Sequence, residues 1–209
     1  MCKADVVTES DILTDGTVAL RPLHRDHAEG LFACLSTDPE IARWTRVPWP
    51  YTRAHLRAYL DDAQRSVASG RDLLYVVGTP ERDDVLGCVG LHRIGATPQP
   101  RSSFRPNEVG YWLAESARGK GLMTRAVRVV SRHGLLSLGL PVLLLQTKVG
   151  NVASQAVALR CGYRPIGTVM ASEVDDDGND HDRFELRPAD LELADAAERG
   201  DALINRSVS

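Results

Sequence analysis

The residues that most clearly invite chemistry are Arg118, Gly119, Lys120, Gly121, Leu122, Met123 and Thr124. Two glycines let the backbone approach an anion closely, and Arg118 and Lys120 add positive charge to the same loop. The strand-like run Glu108-Val109-Gly110-Tyr111-Trp112-Leu113 precedes this loop, and a helix-periodic run follows it. Strand, glycine-broken turn and helix N-terminus together aim several free N–H groups at an anion, and phosphate is the anion such a turn suits best. Further on, Asn151 and Ser154 stand at N-cap and N3 spacing at the start of another helical run.

The elements that must position these residues follow from pattern. A β-branched run at 17–20 reads as a strand that Pro22 stops. Asp26 can cap a helix to about Leu35, and Thr52 a second one to about Val67. Residues 44–51 between them form an aromatic, proline-rich loop. Residues 73–78 and 85–94 read as strands joined by a turn, and 95–106 as a Pro/Ser/Arg-rich loop. The helix after Gly121 sets Leu122, Ala126, Val129, Val130 and His133 on one face and Arg125, Arg128 and Arg132 on the other. The apolar run 142–149 suits a buried strand, and Gly162 ends the helix that Asn151 opens. Residues 163–174 and 181–186 read as a hairpin turning at Asp177-Gly178, with one further helix at 189–197.

This order predicts an α/β fold: one domain over residues 1–209, with a core at about 16–191 and a polar tail at 192–209. Its sheet is mixed and mostly antiparallel, with a splayed parallel strand pair where helices cross over, and with flanking helices. Ligands of such sheets bind at the carboxyl ends of the parallel strands. Hydrophobic residues make up 43% and charged residues 25%, as in ordinary globular chains. A net charge of −3 argues against a nucleic-acid partner. The four cysteines lack disulfide-like or zinc-like spacing. No apolar run approaches the ~18 residues of a membrane helix, and residues 1–15 do not resemble a signal peptide. These features predict a cytoplasmic protein with no membrane partner.

Three phosphate-loop patterns can be compared. The nucleotide-triphosphate loop needs a Gly-Lys-Ser/Thr ending that Gly119-Lys120-Gly121 lacks. The dinucleotide fingerprint needs a third glycine where Thr124 stands. Arg118-Gly119-Lys120-Gly121-Leu122-Met123 instead resembles the acyl-coenzyme A signature Arg/Gln-x-x-Gly-x-Gly/Ala of the Gcn5-related N-acetyltransferase superfamily, with Met123 at the usual Gly or Ala position. Leu20-Arg21-Pro22-Leu23, Pro48-Trp49-Pro50-Tyr51-Thr52, Gly110-Tyr111-Trp112-Leu113, Asn151-x-x-Ser154 and Gly162-Tyr163 extend the likeness over about residues 18–191. They resemble the branch of ribosomal-protein N-terminal serine and alanine acetyltransferases.

The resemblance implies the acyl-CoA N-acyltransferase fold, acetyl-CoA as co-substrate and no metal. It implies coenzyme contacts at Trp112, Leu113, Arg118, Gly119, Lys120, Gly121, Leu122, Met123, Thr124 and Asn151. It implies Glu108 as catalytic base and the Leu113 N–H as donor to the thioester oxygen. Many members carry a tyrosine acid at the position that Ala158 holds here, which leaves Ser154 as the catalytic acid. The acceptor is then a primary amine, either a protein N-terminal α-amine or a small molecule, and the family's habit of pairing makes a homodimer an option. A coenzyme A-binding sensor without catalysis is the alternative function.

Plainer readings stand beside these. Asn151 and Ser154 can serve as caps alone, and Glu108 as a strand-edge residue. Trp44, Trp49 and Tyr51 are either core anchors or walls of the acceptor pocket. Arg125 either lies on a solvated face or meets the coenzyme's 3′-phosphate. The acidic run 175–180 suits a solvated hairpin better than a calcium loop, because its flanks read as strands.

Overall fold

The computed structural model describes residues 12–97, 105–173 and 178–191. Eight strands form one sheet in the order β1-β2-β3-β4-β5-β6-β8-β7. They are β1 (Leu13–Thr14), β2 (Ala19–Pro22), β3 (Leu73–Thr79), β4 (Arg82–His92), β5 (Glu108–Leu113), β6 (Leu143–Lys148), β7 (Arg164–Val169) and β8 (His181–Leu186). Neighbours from β1 to β5 run antiparallel, as do β6, β8 and β7. Helix α4 (Leu122–Arg132) carries the chain back between β5 and β6, so this pair is parallel. The mixed, mostly antiparallel α/β sheet expected from the sequence is what the chain builds.

The parallel ladder is short. Its register partners are Glu108 with Leu144 and Val109 with Leu145, and the remaining lengths of β5 and β6 are unpaired with each other. The pleat sets Val109, Tyr111 and Leu113 on one face of β5 and Glu108, Gly110 and Trp112 on the other. The first face packs with α4 and α5 (Val152–Arg160) in a core holding Leu91, Val109, Ala126, Val130, Leu143 and Leu145. On the second, α1 (Ala28–Thr37) and α3 (Arg53–Ala68) cover Val76 and Cys88 with Leu31, Leu35, Leu56 and Leu60. Helices thus cover both faces of the sheet's middle strands, while the edge strand β7 is exposed along most of its length. Among the described residues, no helix is long and apolar enough to cross a membrane.

Several local expectations change. The second strand reaches Pro22, because β1 pairs only with Leu20 and Ala19 and leaves that edge free of any need for the proline's missing N–H. The first helix starts later, at Ala28, after a short 3-10 turn at Arg25–His27 that His24 rather than Asp26 caps. A helix that pattern reading passed over, α2 (Pro39–Trp44), starts where Asp38 accepts from the Glu40 N–H and Pro39 takes the first turn. The buried stripe of α4 is Met123, Ala126, Val127, Val130 and Ser131, rotated by one residue from the expected face. Leu122 therefore leaves the core and Met123 enters it. The last strand pair is β7 with β8, but β7 ends at Val169 and a 3-10 turn follows at Ala171–Glu173. Residue 174 of the expected strand and 175–177 of the acidic run lie outside the described residues, as do 98–104 of the Pro/Ser/Arg-rich loop and 192–197 of the last expected helix.

Candidate active site

Where β5 and β6 part, a cavity of about 950 Å³ opens between the two strands, α2, the loop before α4, and α5. Of the residues singled out from sequence, it is lined by Glu108, Trp112, Leu113, Arg118, Gly119, Gly121, Leu122, Met123, Thr124, Asn151, Ser154 and Trp44. Residues separated by more than a hundred positions thus share one space. Lys120 stands outside the lining, with its Nζ donating to Ser116 O at 2.8 Å.

Local backbone geometry makes one end of this cavity an anion cradle. Gly119 and Gly121 hold φ of +74° and +73°, in the left-handed region open to glycine. Gly121 is the N-cap of α4, and no side chain caps that helix end. The first helical N–H to find an acceptor is that of Arg125, on Gly121 O at 3.2 Å. The N–H groups of residues 119–124 have no acceptor among the described residues, so the orphan donors of the helix start face the cavity. Met123 keeps its N–H in this set while its side chain, 5% exposed, fills the core. That resolves the departure from the Gly/Ala pattern: the side chain turns away from the loop.

Arg118 braces the loop rather than hanging free. Its Nε donates to Leu113 O at 3.1 Å, and its guanidinium pairs with the buried carboxylate of Asp38. Asp38 also caps α2 through its other oxygen, at 3.1 Å from the Glu40 N–H. One carboxylate therefore ties the loop to the helix that carries Trp44. Arg125, expected either on a solvated face or at a phosphate, pairs with Asp15 at 2.8 Å.

The strand edge supplies further donors. Ala114 N donates to Leu86 O at 2.8 Å, toward β4. Successive N–H groups of a strand alternate sides, so those of Leu113 and Tyr111 point toward the gap left by β6. Across that gap, the buried Oγ1 of Thr147 has no hydrogen-bond partner among the described residues. Unpaired backbone on β5, an orphaned hydroxyl on β6 and an uncapped helix start are the features that an amide-bearing, phosphorylated arm would satisfy. The residues present fit coenzyme A.

Glu108 lies on the face of β5 turned toward α2. Its Oε2 accepts from Gln146 Nε2 at 3.2 Å and from the Arg105 N–H at 3.0 Å. Arg183 Nε donates to Gln146 Oε1 at 3.0 Å, which fixes the amide. Both bonds to Glu108 fall on one oxygen, so Oε1 has no partner among the described residues.

Ser154 sits across the gap on α5. Its N–H donates to Asn151 Oδ1 at 3.1 Å, so Asn151 does cap this helix. The Ser154 hydroxyl lies 2.8 Å from the Tyr111 hydroxyl, which also lies 3.2 Å from Ser154 O. Burial pushes the Tyr111 phenol well above its ordinary value, only partly offset by the Ser154 hydrogen bond, so it remains a neutral donor at pH 7. Ala158 is fully buried in the core and does not line the cavity. Of the described cysteines, Cys34, Cys88 and Cys161, none lines the cavity, and burial raises Cys161 to about 12.

Two expected acceptor-site residues lie elsewhere. Tyr51 is 7% exposed and packs beside Phe32 in the second core, and Trp49 is 48% exposed outside the cavity lining. Trp44 does line it, with Nε1 donating to Glu40 Oε2 at 3.1 Å. Pattern reading passed over Asp38, Tyr111, Gln146 and Thr147. Asp38-Pro39 carries a helix-start signal, and Gln146 is the first polar residue after the apolar stretch Val142-Leu143-Leu144-Leu145. The pairings of Asp38 with Arg118 and of Tyr111 with Ser154 leave no local trace.

Comparison with known proteins agrees with this geometry. The acetyltransferase (GNAT) domain family matches residues 17–164. The ribosomal-protein-serine acetyltransferase of Escherichia coli is 30% identical over 100 residues, which span 48% of this chain and 52% of that protein. The match thus spans about half the length of that relative. Mycobacterium smegmatis RimJ in complex with CoA-disulfide superposes with a TM-score of 0.71 at 22% identity, covering 86% of each chain. The RimL ribosomal L7/L12 alpha-N-protein acetyltransferase in complex with coenzyme A gives 0.70 at 19% identity, covering 85% of this chain and 98% of that one. At such identities the likeness to the two structures is one of fold. The family match, covering most of the chain and spanning the strand, the glycine loop and α5, is what assigns it: the chain belongs to the acetyltransferase (GNAT) domain family.

Proposed function

We propose that the chain transfers an acetyl group from acetyl-CoA to a primary amine by direct attack, with both substrates bound together. One observation carries this reading: the uncapped, glycine-turned start of α4 opens into the same cavity as Glu108 and the Tyr111–Ser154 pair. The N–H groups of residues 119–124 would hold the pyrophosphate, and the free edge of β5 the pantetheine amides. Bound there, the coenzyme supplies an acyl thioester as the electrophile.

Glu108 Oε1 takes a proton from the acceptor's ammonium, freeing the lone pair that attacks the carbonyl carbon. The Leu113 N–H donates to the carbonyl oxygen as negative charge builds on it. As the new C–N bond forms and the C–S bond breaks, Ser154 Oγ gives its proton to the departing sulfur. Tyr111 donates to Ser154 Oγ and so aims the serine proton at the sulfur. The nitrogen's second proton replaces the one Ser154 gave up, and the net yield is amide, thiol and one proton. The raised pKa of the buried thiol of Cys161, and the absence of described cysteines from the cavity, favour this direct route over an acetylated protein intermediate.

The acceptor we favour is a protein N-terminal α-amine, with a small-molecule amine as the other candidate. Support comes from the names of the E. coli relative and the RimL neighbour. Trp44 and α2 form the wall on the acceptor side. Thiol release from acetyl-CoA, measured with peptide and small-molecule amines for wild type, Glu108→Gln and Ser154→Ala, tests the reading. Amine-dependent release that both substitutions cut supports it. Tight coenzyme A binding without turnover for any amine refutes it and leaves the sensor alternative.

A further inference from the structure

Beside the main cavity lies a smaller one of about 230 Å³, lined by Arg105, Pro106, Leu144, Gln146, Ile166 and Arg183 among others. Gln146 belongs to both linings. Arg183 is the register partner of Gln146, so the two side chains leave the same face of the sheet, the face that also presents Glu108. The Gln146 amide bridges them: it donates to Glu108 and accepts from Arg183, holding the guanidinium one amide width from the carboxylate.

Two guanidinium groups are underused here. Arg183 Nη2 and Arg105 Nε are buried and have no hydrogen-bond partner among the described residues. Burial and the neighbouring Arg105 pull Arg183 below its ordinary pKa, while Glu108 and Glu173 act the other way. Paired cations with unmet donors are a costly arrangement unless an anion joins them. The other lining residues are all apolar, namely Pro106, Leu144, Leu145, Ile166 and Phe184. A planar, singly charged head on an apolar stem suits that lining, whereas a phosphate needs polar partners on every side.

We propose that this cavity is a carboxylate subsite that selects acceptors carrying an acidic group a few bonds from the reacting amine. The inference rests on the reading of Glu108 as the base that receives the amine. Because Gln146 separates the subsite from Glu108, a peptide whose second residue is Asp or Glu places its amine and its carboxylate on either side of that amide.

The test has a binding arm that needs no turnover and a kinetic arm that does. Ligand-observed NMR without acetyl-CoA compares 3-phenylpropionate, its amide and inorganic phosphate on wild type, Arg105→Gln and Arg105→Lys, with coenzyme A binding as the check that each variant is folded. The acid is expected to bind at least tenfold tighter than the amide, with the preference lost in Arg105→Gln and kept in Arg105→Lys. Equal binding of acid and amide, a preference that survives Arg105→Gln, or tighter binding of phosphate overturns the subsite. In the kinetic arm, peptides beginning Ser-Glu and Ser-Gln are acetylated in competition. A kcat/KM ratio of at least fivefold in wild type, falling to about one in Arg105→Gln, supports the acceptor's carboxylate as occupant. A ratio of one in wild type despite acid binding overturns acceptor selection. Acid preference with no acetylation of any peptide supports the subsite and refutes the transferase reading.

Discussion

Replacing Gly121 by alanine tests the coenzyme cradle where backbone and ligand would meet. Gly121 holds φ 73° and ψ 0°, and a Cβ there meets nothing within 4 Å, so the substitution brings strain without a clash. Left-handed backbone costs a residue with a side chain ~1–2 kcal/mol. Alanine also narrows the unfolded ensemble, which offsets ~0.4–1 kcal/mol of that. If the loop keeps its shape, a net cost of ~1 kcal/mol appears as a Tm lower by ~2–4 °C, and coenzyme A binds as before. If the free loop relaxes instead, Tm hardly moves and binding must restore the turn, which weakens Kd roughly 5–30-fold. The two losses draw on one strain energy, so together they stay near ~2 kcal/mol. Gly139 is the control: its φ is +66°, a Cβ there also meets nothing within 4 Å, and it does not line the cavity. Gly139→Ala is expected to lower Tm and leave coenzyme binding unchanged. Thermal unfolding and calorimetry with coenzyme A read both quantities. A Kd loss far above 30-fold at unchanged Tm, or no change in either quantity for Gly121→Ala, would refute the reasoning.

Three further outcomes are expected. Tyr111→Phe removes the 2.8 Å partner of Ser154 Oγ, and kcat should fall ~10-fold or more, within the reach of general-acid effects, while KM for acetyl-CoA stays within about threefold. An unchanged kcat in a thiol-release assay would show that Ser154 acts without it. Trp44→Ala removes a wall of the acceptor side and should raise acceptor KM roughly tenfold through lost apolar contact, leaving the Kd of coenzyme A as it was. Loss of coenzyme affinity instead would move Trp44 to the other side of the cleft. Burial alone pushes the Asp72 carboxyl up, but hydrogen bonds from His92 and the Arg93 N–H outweigh it and bring it down to about 2. A depressed carboxyl stabilises the fold above its unfolded value of about 4 and loses that effect as pH falls through about 2. The Tm gap between wild type and Asp72→Asn should therefore be full above about pH 4 and close toward pH 2; a gap that does not change with pH would refute the assignment.

The fold was legible in sequence wherever a local pattern carried it. The glycine loop, the strand before it and the Asn151 cap each sit within a dozen residues, and their physics is local. The parallel pairing of β5 with β6 followed from the helix between them. Errors arose where tertiary contact decides. The α4 stripe turned by one residue because Met123, not Leu122, fits the core beneath the loop. Of the two readings open for Tyr51, the structure realises the core anchor, since Phe32, nineteen positions away, stands beside it, a contact no spacing encodes. The site's supporting partners were the least legible. Asp38 meets Arg118 across 80 positions and Tyr111 meets Ser154 across 43, distances over which a sequence carries no periodic signal.

Direct transfer within one cleft carries the acetyl group from the thioester to the amine with no stop on the protein. Mass spectrometry of a reaction holding the protein, acetyl-CoA and a lysine-free peptide with a free N-terminus tests it most directly. The expected result is one acetyl group on the peptide's α-amine for each thiol released, none on the protein, and loss of product when Glu108 is changed to Gln. Thiol release without an acetylated peptide, or an acetyl group retained on the protein before the peptide is added, would contradict it.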